Sequence, residues 1–167
     1  MIVVSNTSPL TNLAAIGQIG LLPLLFNKLN IPDAVWQELH AGDVMWPGRK
    51  EVDAATWIKR NRVPTSPFLT ELMSDLGPGE AEAISLALDL KADLVLLDEK
   101  EGRRKAQRVG LRVMGVGGVL LAAKAQHHLA EIRPCLDDLR QIAGFYLSER
   151  VYQTLLAAAN EAPSTSR

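Results

Sequence analysis

The chain is poor in the residues that usually announce a secreted or zinc-dependent protein. Its single cysteine, Cys135, cannot form an intrachain disulfide, and its three histidines, His40, His127 and His128, have no cysteine or histidine partners at zinc-ligand spacing. No apolar run approaches the length that spans a bilayer, and the opening Met1-Ile-Val-Val is too short for a signal peptide, so a cytoplasmic protein without membrane contact is expected. There is no excess of charge of one sign. A net charge of −1 rules out the whole-molecule attraction to nucleic acid that a strongly basic domain has, and leaves any such binding to a local patch. Repeats and low-complexity segments are absent. The first strand-to-helix turn, Ser5 to Pro9, holds no glycine, which argues against a dinucleotide-binding enzyme.

What is present is enough for a core. Of 167 residues, 47% are hydrophobic and 22% charged, the balance of a globular chain. A single domain over residues 1–160 with a disordered tail at 161–167 is expected. Ile2-Val3-Val4 and Leu94 to Leu97 are short, non-alternating apolar runs, the signature of strands buried on both faces. Leu29-Asn30-Ile31 and Arg112-Val113-Met114 read as weaker strands. Helices are expected from Ser8-Pro9, read as N-cap and first helical residue, to Ile16, then over Leu21–Phe26 and from Pro32-Asp33 to Gly42. A helix near Val52–Ile58 and an edge strand near Val63 follow. Gly77-Pro78-Gly79 opens a helix with an apolar stripe at Ala83, Ile84, Ala87 and Leu88. Further helices cover about 99–109, 119–125, 132–142 and 149–159. This alternation predicts an α/β fold, three layers α/β/α around a central parallel sheet.

Ligands of open α/β sheets bind beyond the carboxyl ends of the strands, and the two strongest strands end in Asn6 and Asp98. Oxygen donors gathered there suit a hard cation such as Mg2+ or Mn2+. Each residue also has a plainer reading. Asp98 with Glu101 fits a helix capping pair, Glu80 in a first helical turn is favoured by the helix dipole, and Glu38 flanks an apolar ridge as a rim residue. Lys100, Arg103, Arg104, Lys105, Arg108 and Arg112 fall within thirteen positions, either a solvated helix face or a phosphate-binding patch. Gly115-x-Gly117-Gly118 reads as a closely packed turn, and Trp36, Trp46 and Trp57 as core or interface anchors.

Four segments in order carry a resemblance: Val4-Ser5-Asn6-Thr7-Ser8-Pro9-Leu10; Ile31 to Leu39; Leu76-Gly77-Pro78-Gly79-Glu80-Ala81-Glu82-Ala83-Ile84; and Leu96-Leu97-Asp98-Glu99 with Gly102-Arg103-Arg104 and Gly115 to Leu121. Together they resemble a small prokaryotic subfamily of PIN-domain proteins. The resemblance implies a metal-dependent nuclease fold, with many ribonuclease toxins of the VapC kind held by a cognate antitoxin. It carries the four acidic positions onto Asn6, Glu38, Glu80 and Asp98 as catalytic and metal-binding residues for one or two Mg2+ or Mn2+ ions. Thr7, Ser8, Glu82 and Glu99 are additional candidates, and Arg103, Arg104, Lys105 and Arg108 are candidates for holding the nucleic-acid backbone. The expected protein is a magnesium- or manganese-dependent endoribonuclease and a homodimer. Asn6 departs from the family's aspartate and brings no charge, which weakens metal affinity and makes a silent, nucleic-acid- or protein-binding PIN domain the alternative.

Overall fold

The computed structural model describes residues 1–161. Five parallel strands, β1 (Val3–Ser5), β2 (Leu29–Pro32), β3 (Ile58–Asn61), β4 (Leu94–Leu96) and β5 (Val113–Met114), form one sheet in the order β3-β2-β1-β4-β5. The chain starts in the middle and builds outward twice, so the order reverses between β1 and β4. That reversal opens a crevice at the carboxyl edge of the two strands. Asn6 N donates to the Leu96 carbonyl at 3.1 Å and holds the two strand ends side by side.

Both faces of the sheet are covered, and the alternation of side chains decides which layer each meets. Val3, Leu94 and Leu96 enter one core, and Val4, Val95 and Leu97 enter the other. The first core is closed by α1 (Thr7–Ala15), α2 (Leu21–Phe26), α8 (Val116–Ala125), α9 (Arg133–Gln141) and α10 (Glu149–Ala158). Val35 and Leu39 of α3 (Asp33–Leu39) and Val52 of α4 (Arg49–Ala54) join it. The second is closed by α5 (Pro67–Met73), α6 (Pro78–Asp89) and α7 (Lys100–Arg108). The architecture is the three-layer α/β/α arrangement that the strand pattern implies. No helix of the described residues is long and apolar enough to cross a membrane.

Three local readings need correction. The expected helix at 52–58 is α4, which ends at Ala54, and Ile58 opens β3, so the edge strand lies earlier than Val63. Val52 and Ile58 are both apolar, but Ala55 turns to extended backbone and breaks the helical spacing between them. Helix α5 was not expected, although Ser66 caps it by accepting from Leu69 N at 3.0 Å and Pro67 is its first residue. Finally, α1 starts at Thr7 rather than after Ser8. Asn6 occupies its N-cap position, yet its side chain makes no capping bond and is left to face elsewhere.

Glu161, expected to begin the tail, is anchored; positions 162–167 of that expectation lie outside the described residues. Its carboxylate accepts from Lys124 Nζ at 2.8 Å and from the amides of Ile132 at 2.8 Å and Arg133 at 3.1 Å, joining α8 to the start of α9. Burial acts to raise its pKa, but the Lys124 and amide hydrogen bonds outweigh it and hold the carboxyl below the ordinary glutamate value. Stabilisation from such a group is present above its unfolded pKa and vanishes as pH falls through the folded one. Glu161→Gln is therefore expected to cost about 1–3 kcal/mol at neutral pH, and the gap to the parent should narrow as pH falls below the ordinary glutamate range, as read by urea unfolding at neutral and acidic pH. A gap that persists in acid would mean that the charge is not its source.

Candidate active site

A cavity of about 490 Å³ sits at the crevice where the strand order reverses, lined by Asn6 between β1 and α1, Thr7 and Ser8 from the first turn of α1, Glu38 from α3, Glu80 from α6, and Glu99 at the start of α7. Thr11, Ala41, Trp46 and Gly77 complete its wall. Three of the four residues expected to hold a metal, Asn6, Glu38 and Glu80, thus share one hollow. They come from three elements that meet only because the topology stacks α3 and α6 over the β1 end.

Glu38 is the most firmly placed. Its Oε2 accepts from the Thr7 hydroxyl, and its Oε1 accepts from the amide of Gly79 at 3.0 Å. The close approach depends on glycine. A Cβ on Gly79 would lie 2.5 and 2.8 Å from the Glu38 carboxylate oxygens and 2.9 Å from Asn6 Oδ1, so all three oxygens crowd one point. Because the groups that would have to move are side-chain ends and not backbone, Gly79→Ala is expected to keep the folded stability within about 1 kcal/mol of the parent while displacing Glu38 and Asn6. Thermal unfolding read beside metal affinity checks this; unchanged affinity would show that the two oxygens do not act together.

Glu80 enters the hollow from the third residue of α6. Its Oε2 is buried with no hydrogen-bond partner and lies where a Cβ on Gly102 would be 2.6 Å away. Burial first, then the charge of Glu99, raise its pKa; the Gly77 amide opposes them, and Glu38 adds a smaller push upward. Glu82, two positions on, points elsewhere: about 200° around the helix, it accepts from Ala34 N at 3.1 Å and serves the start of α3.

Asp98 is where the expected set divides. It does not line the hollow with the other three, and Glu99 stands there instead. The strand ends at Leu96 and only Leu97 still keeps its alternation, so the pattern does not fix residues 98 and 99. Asp98 Oδ1 turns to accept from Val116 N at 2.9 Å and caps α8, in a space that exists because Gly115 has no side chain. The other oxygen, Oδ2, is buried and unpartnered. Burial pushes the Asp98 carboxyl up to about 6, with the Val116 amide and Arg103 pulling the other way and Glu99 adding to the rise. Glu99 therefore acts on both Glu80 and Asp98. The capping pair with Glu101 does not form, since Glu99 is the N-cap of α7.

Two members of the basic run, Arg103 and Lys105, are committed to structure. Arg103 Nη1 donates to the Leu97 carbonyl at 2.9 Å beside Asp98, and Lys105 pairs with Asp75 at 2.7 Å. Arg108 faces α5 beside Phe68 and Leu72, away from the acids. Arg104, exposed with Glu101 at 3.4 Å, stands with Lys100 and Gln107 around a shallow hollow beside Asp98.

Carboxylate and amide oxygens are the donor type for a magnesium or manganese ion, and an orphaned buried Glu80 oxygen is what such a site contains before a cation neutralises it. Among the described residues, no three acidic, histidine or cysteine side chains stand at metal-binding spacing as placed. The set fits in chemistry, with Asn6 as the neutral member.

No curated protein matches the chain. A family model described as "PIN domain" matches residues 2–161, nearly its whole length. With the five-stranded parallel sheet and the acid-lined crevice at its reversal point, that match settles the family: the chain belongs to the PIN-domain family, a nuclease fold that acts on nucleic acid and typically uses divalent metals.

Proposed function

We propose that this PIN domain is a magnesium- or manganese-dependent endoribonuclease whose site is the hollow of Asn6, Glu38, Glu80 and Glu99, with Asp98 behind Glu99 at the same sheet edge. One observation carries the reading. Among the described residues, the two buried side-chain oxygens left without a partner, Glu80 Oε2 and Asp98 Oδ2, belong to two of the acids that the family resemblance assigns to the metal. Leaving a buried charged oxygen unpaired costs about 1–3 kcal/mol or more, a cost that packing alone would not retain twice at one sheet edge.

Asn6, Glu38, Glu80 and Glu99 would hold the ion through oxygen, with the unpartnered Asp98 Oδ2 as a further donor from the same sheet edge. Bound there, it would activate a water and neutralise charge gathering on the phosphodiester in the transition state. The protein's own part is orientation. Thr7 and the Gly79 amide fix the Glu38 carboxylate, so it cannot swing away when the hollow is empty of substrate. The Ser8 hydroxyl, which accepts from Asn12 Nδ2 at 3.4 Å, keeps its proton to offer a phosphate oxygen, whereas the Thr11 hydroxyl is spent on the Ser8 carbonyl at 3.1 Å. Asp98 caps α8 through the Val116 amide, Arg103 holds the Leu97 carbonyl beside it, and Lys100 with the exposed Arg104 offers positive charge for the backbone.

Purified protein incubated with mixed RNA is expected to cut only when magnesium or manganese is added, with EDTA stopping the reaction. Cleavage that continues at full rate in EDTA would overturn the mechanism. The toxin role, a cognate antitoxin and a homodimer in the cytoplasm rest on the resemblance to VapC-type proteins, and growth arrest on expression of the chain alone tests the first of these. A second reading, a PIN domain that binds nucleic acid or protein without cutting, is favoured by the neutral Asn6. Tight RNA binding with no cleavage at any metal concentration would select it.

A further inference from the structure

Trp46 is the residue at the acidic hollow that neither the fold nor the proposed chemistry uses. The other two tryptophans are spent on packing. Trp36 stacks on His40 with ring centroids 4.3 Å apart and takes the Arg60 guanidinium on its ring at 5.0 Å, and Trp57 lies against the core. Trp46 stays 43% exposed, lines the same cavity as Asn6, Glu38 and Glu80, and has no ring or cation stacked on it among the described residues. Exposing an indole costs free energy that a surface loop could avoid with a polar residue.

Its position is fixed from below. Gly48, two residues on, takes a left-handed backbone (φ +94°) and packs onto α1, where a Cβ would meet Ala14 and the Leu10 carbonyl at 3.4 Å. Arg49 N donates to the Trp46 carbonyl at 3.1 Å and closes the turn. The loop is thus clamped to the helix that carries Thr7, Ser8 and Thr11, and the backbone that carries the indole is held at a set place relative to the acids. An exposed aromatic face beside the proposed phosphodiester-cleaving centre suits one kind of group, a planar nucleobase adjacent to the phosphate in the hollow.

We infer that Trp46 is a stacking platform for an unpaired base of the RNA strand, so that the site takes single-stranded substrate and positions it by that stack. This rests on the nuclease reading above. A base inside a duplex has both faces covered by its neighbours and cannot present one to the indole, whereas a single strand can.

The test is binding and cleavage of a labelled single-stranded oligouridylate, the same strand annealed to its complement, and an abasic strand of equal length. Trp46→Ala is expected to weaken binding of the single strand about tenfold, while Trp46→Phe keeps it within about threefold and the abasic strand shows no difference between parent and variant. Indole fluorescence of the parent should be quenched by the single strand and not by the duplex, and that quenching should be lost in Trp46→Phe. If the parent binds and cuts the strand and Trp46→Ala binds it equally well, the stacking role is wrong and the nuclease reading stands. Unchanged RNA binding with an altered elution volume would overturn stacking in favour of a contact between copies of this chain. If the parent neither binds nor cuts any strand, both readings fall.

Discussion

Glu80→Gln is expected to lose cleavage by about a hundredfold or more and to fold at least as stably as the parent. The two effects share one cause. Glu80 Oε2 is buried without a partner, and its neighbours in the hollow include Glu38 and Glu99, so the ionised carboxylate is held in an unfavourable place whenever no cation is present. An amide of the same shape removes the charge, and with it the repulsion, but also removes the anionic donor that a divalent ion needs. Single-turnover cleavage with saturating manganese, read beside thermal unfolding in EDTA, separates the terms. A variant that cuts at the parent's rate would show that Glu80 is only a helix N-terminal acid. One that is strongly destabilised would show that its carboxylate makes a structural bond, contrary to its unpartnered oxygen.

Asn6→Asp should act in the opposite sense. Asn6 is 4% exposed, stands at the end of β1, and shares with Glu38 the small space that Gly79 leaves open. A carboxylate there brings a second negative charge to within a few ångströms of Glu38. At an effective dielectric of about 20, unit charges about 4 Å apart interact by about 4 kcal/mol, part of which solvent and side-chain movement will relieve. The metal-free protein is therefore expected to lose about 1–3 kcal/mol of stability. A divalent cation gains from the same charge, so manganese should bind about ten- to a hundredfold tighter, and the cleavage rate at limiting metal should rise with it. Equal affinity in both proteins would place Asn6 outside the metal's reach. Activity appearing only in the aspartate variant would assign the natural protein to the non-cleaving reading.

The two substitutions form a pair because one removes charge from the hollow and the other adds it. An acid cluster kept for function costs folded stability in the absence of its ligand, and stability and metal affinity then move in opposite directions across the series. Gly79→Ala breaks that relation, since it moves oxygens without altering charge.

The sheet was legible because its central strands are short apolar runs buried on both faces, a pattern that survives any detail of packing. Elements at the margin were harder. Val52 and Ile58 imitate a helical stripe although the helix ends at Ala54 and Ile58 itself opens a strand, and Ser66-Pro67 carries the same start signal as Ser8-Pro9 but opens a helix that the prolines around it concealed. At Ser8 the signal itself misled, since the helix begins at Thr7, two residues before Pro9, and the Asn6 side chain at its N-cap makes no capping bond. The hollow was legible as far as secondary structure fixes direction. Glu80 and Glu82 are separated by helical geometry, but the sequence does not say which face meets α3. Past Leu97 no periodicity remains, so the choice between Asp98 and Glu99 was set by the amide of Val116, eighteen residues from Asp98. Lys105 was similarly claimed by Asp75, a partner thirty residues distant that no local pattern reveals. The glycines are the least readable part: Gly79, Gly102 and Gly115 look like punctuation, yet each leaves the space that an acid side chain fills.

The convergence of these side chains on one cation is tested most directly by titrating manganese into the parent protein and following the free ion by electron paramagnetic resonance, with Glu80→Gln and Asn6→Asp titrated alongside. Saturable binding is expected in the parent, none at the same concentrations in Glu80→Gln, and tighter binding in Asn6→Asp. Identical isotherms for all three proteins would contradict that convergence.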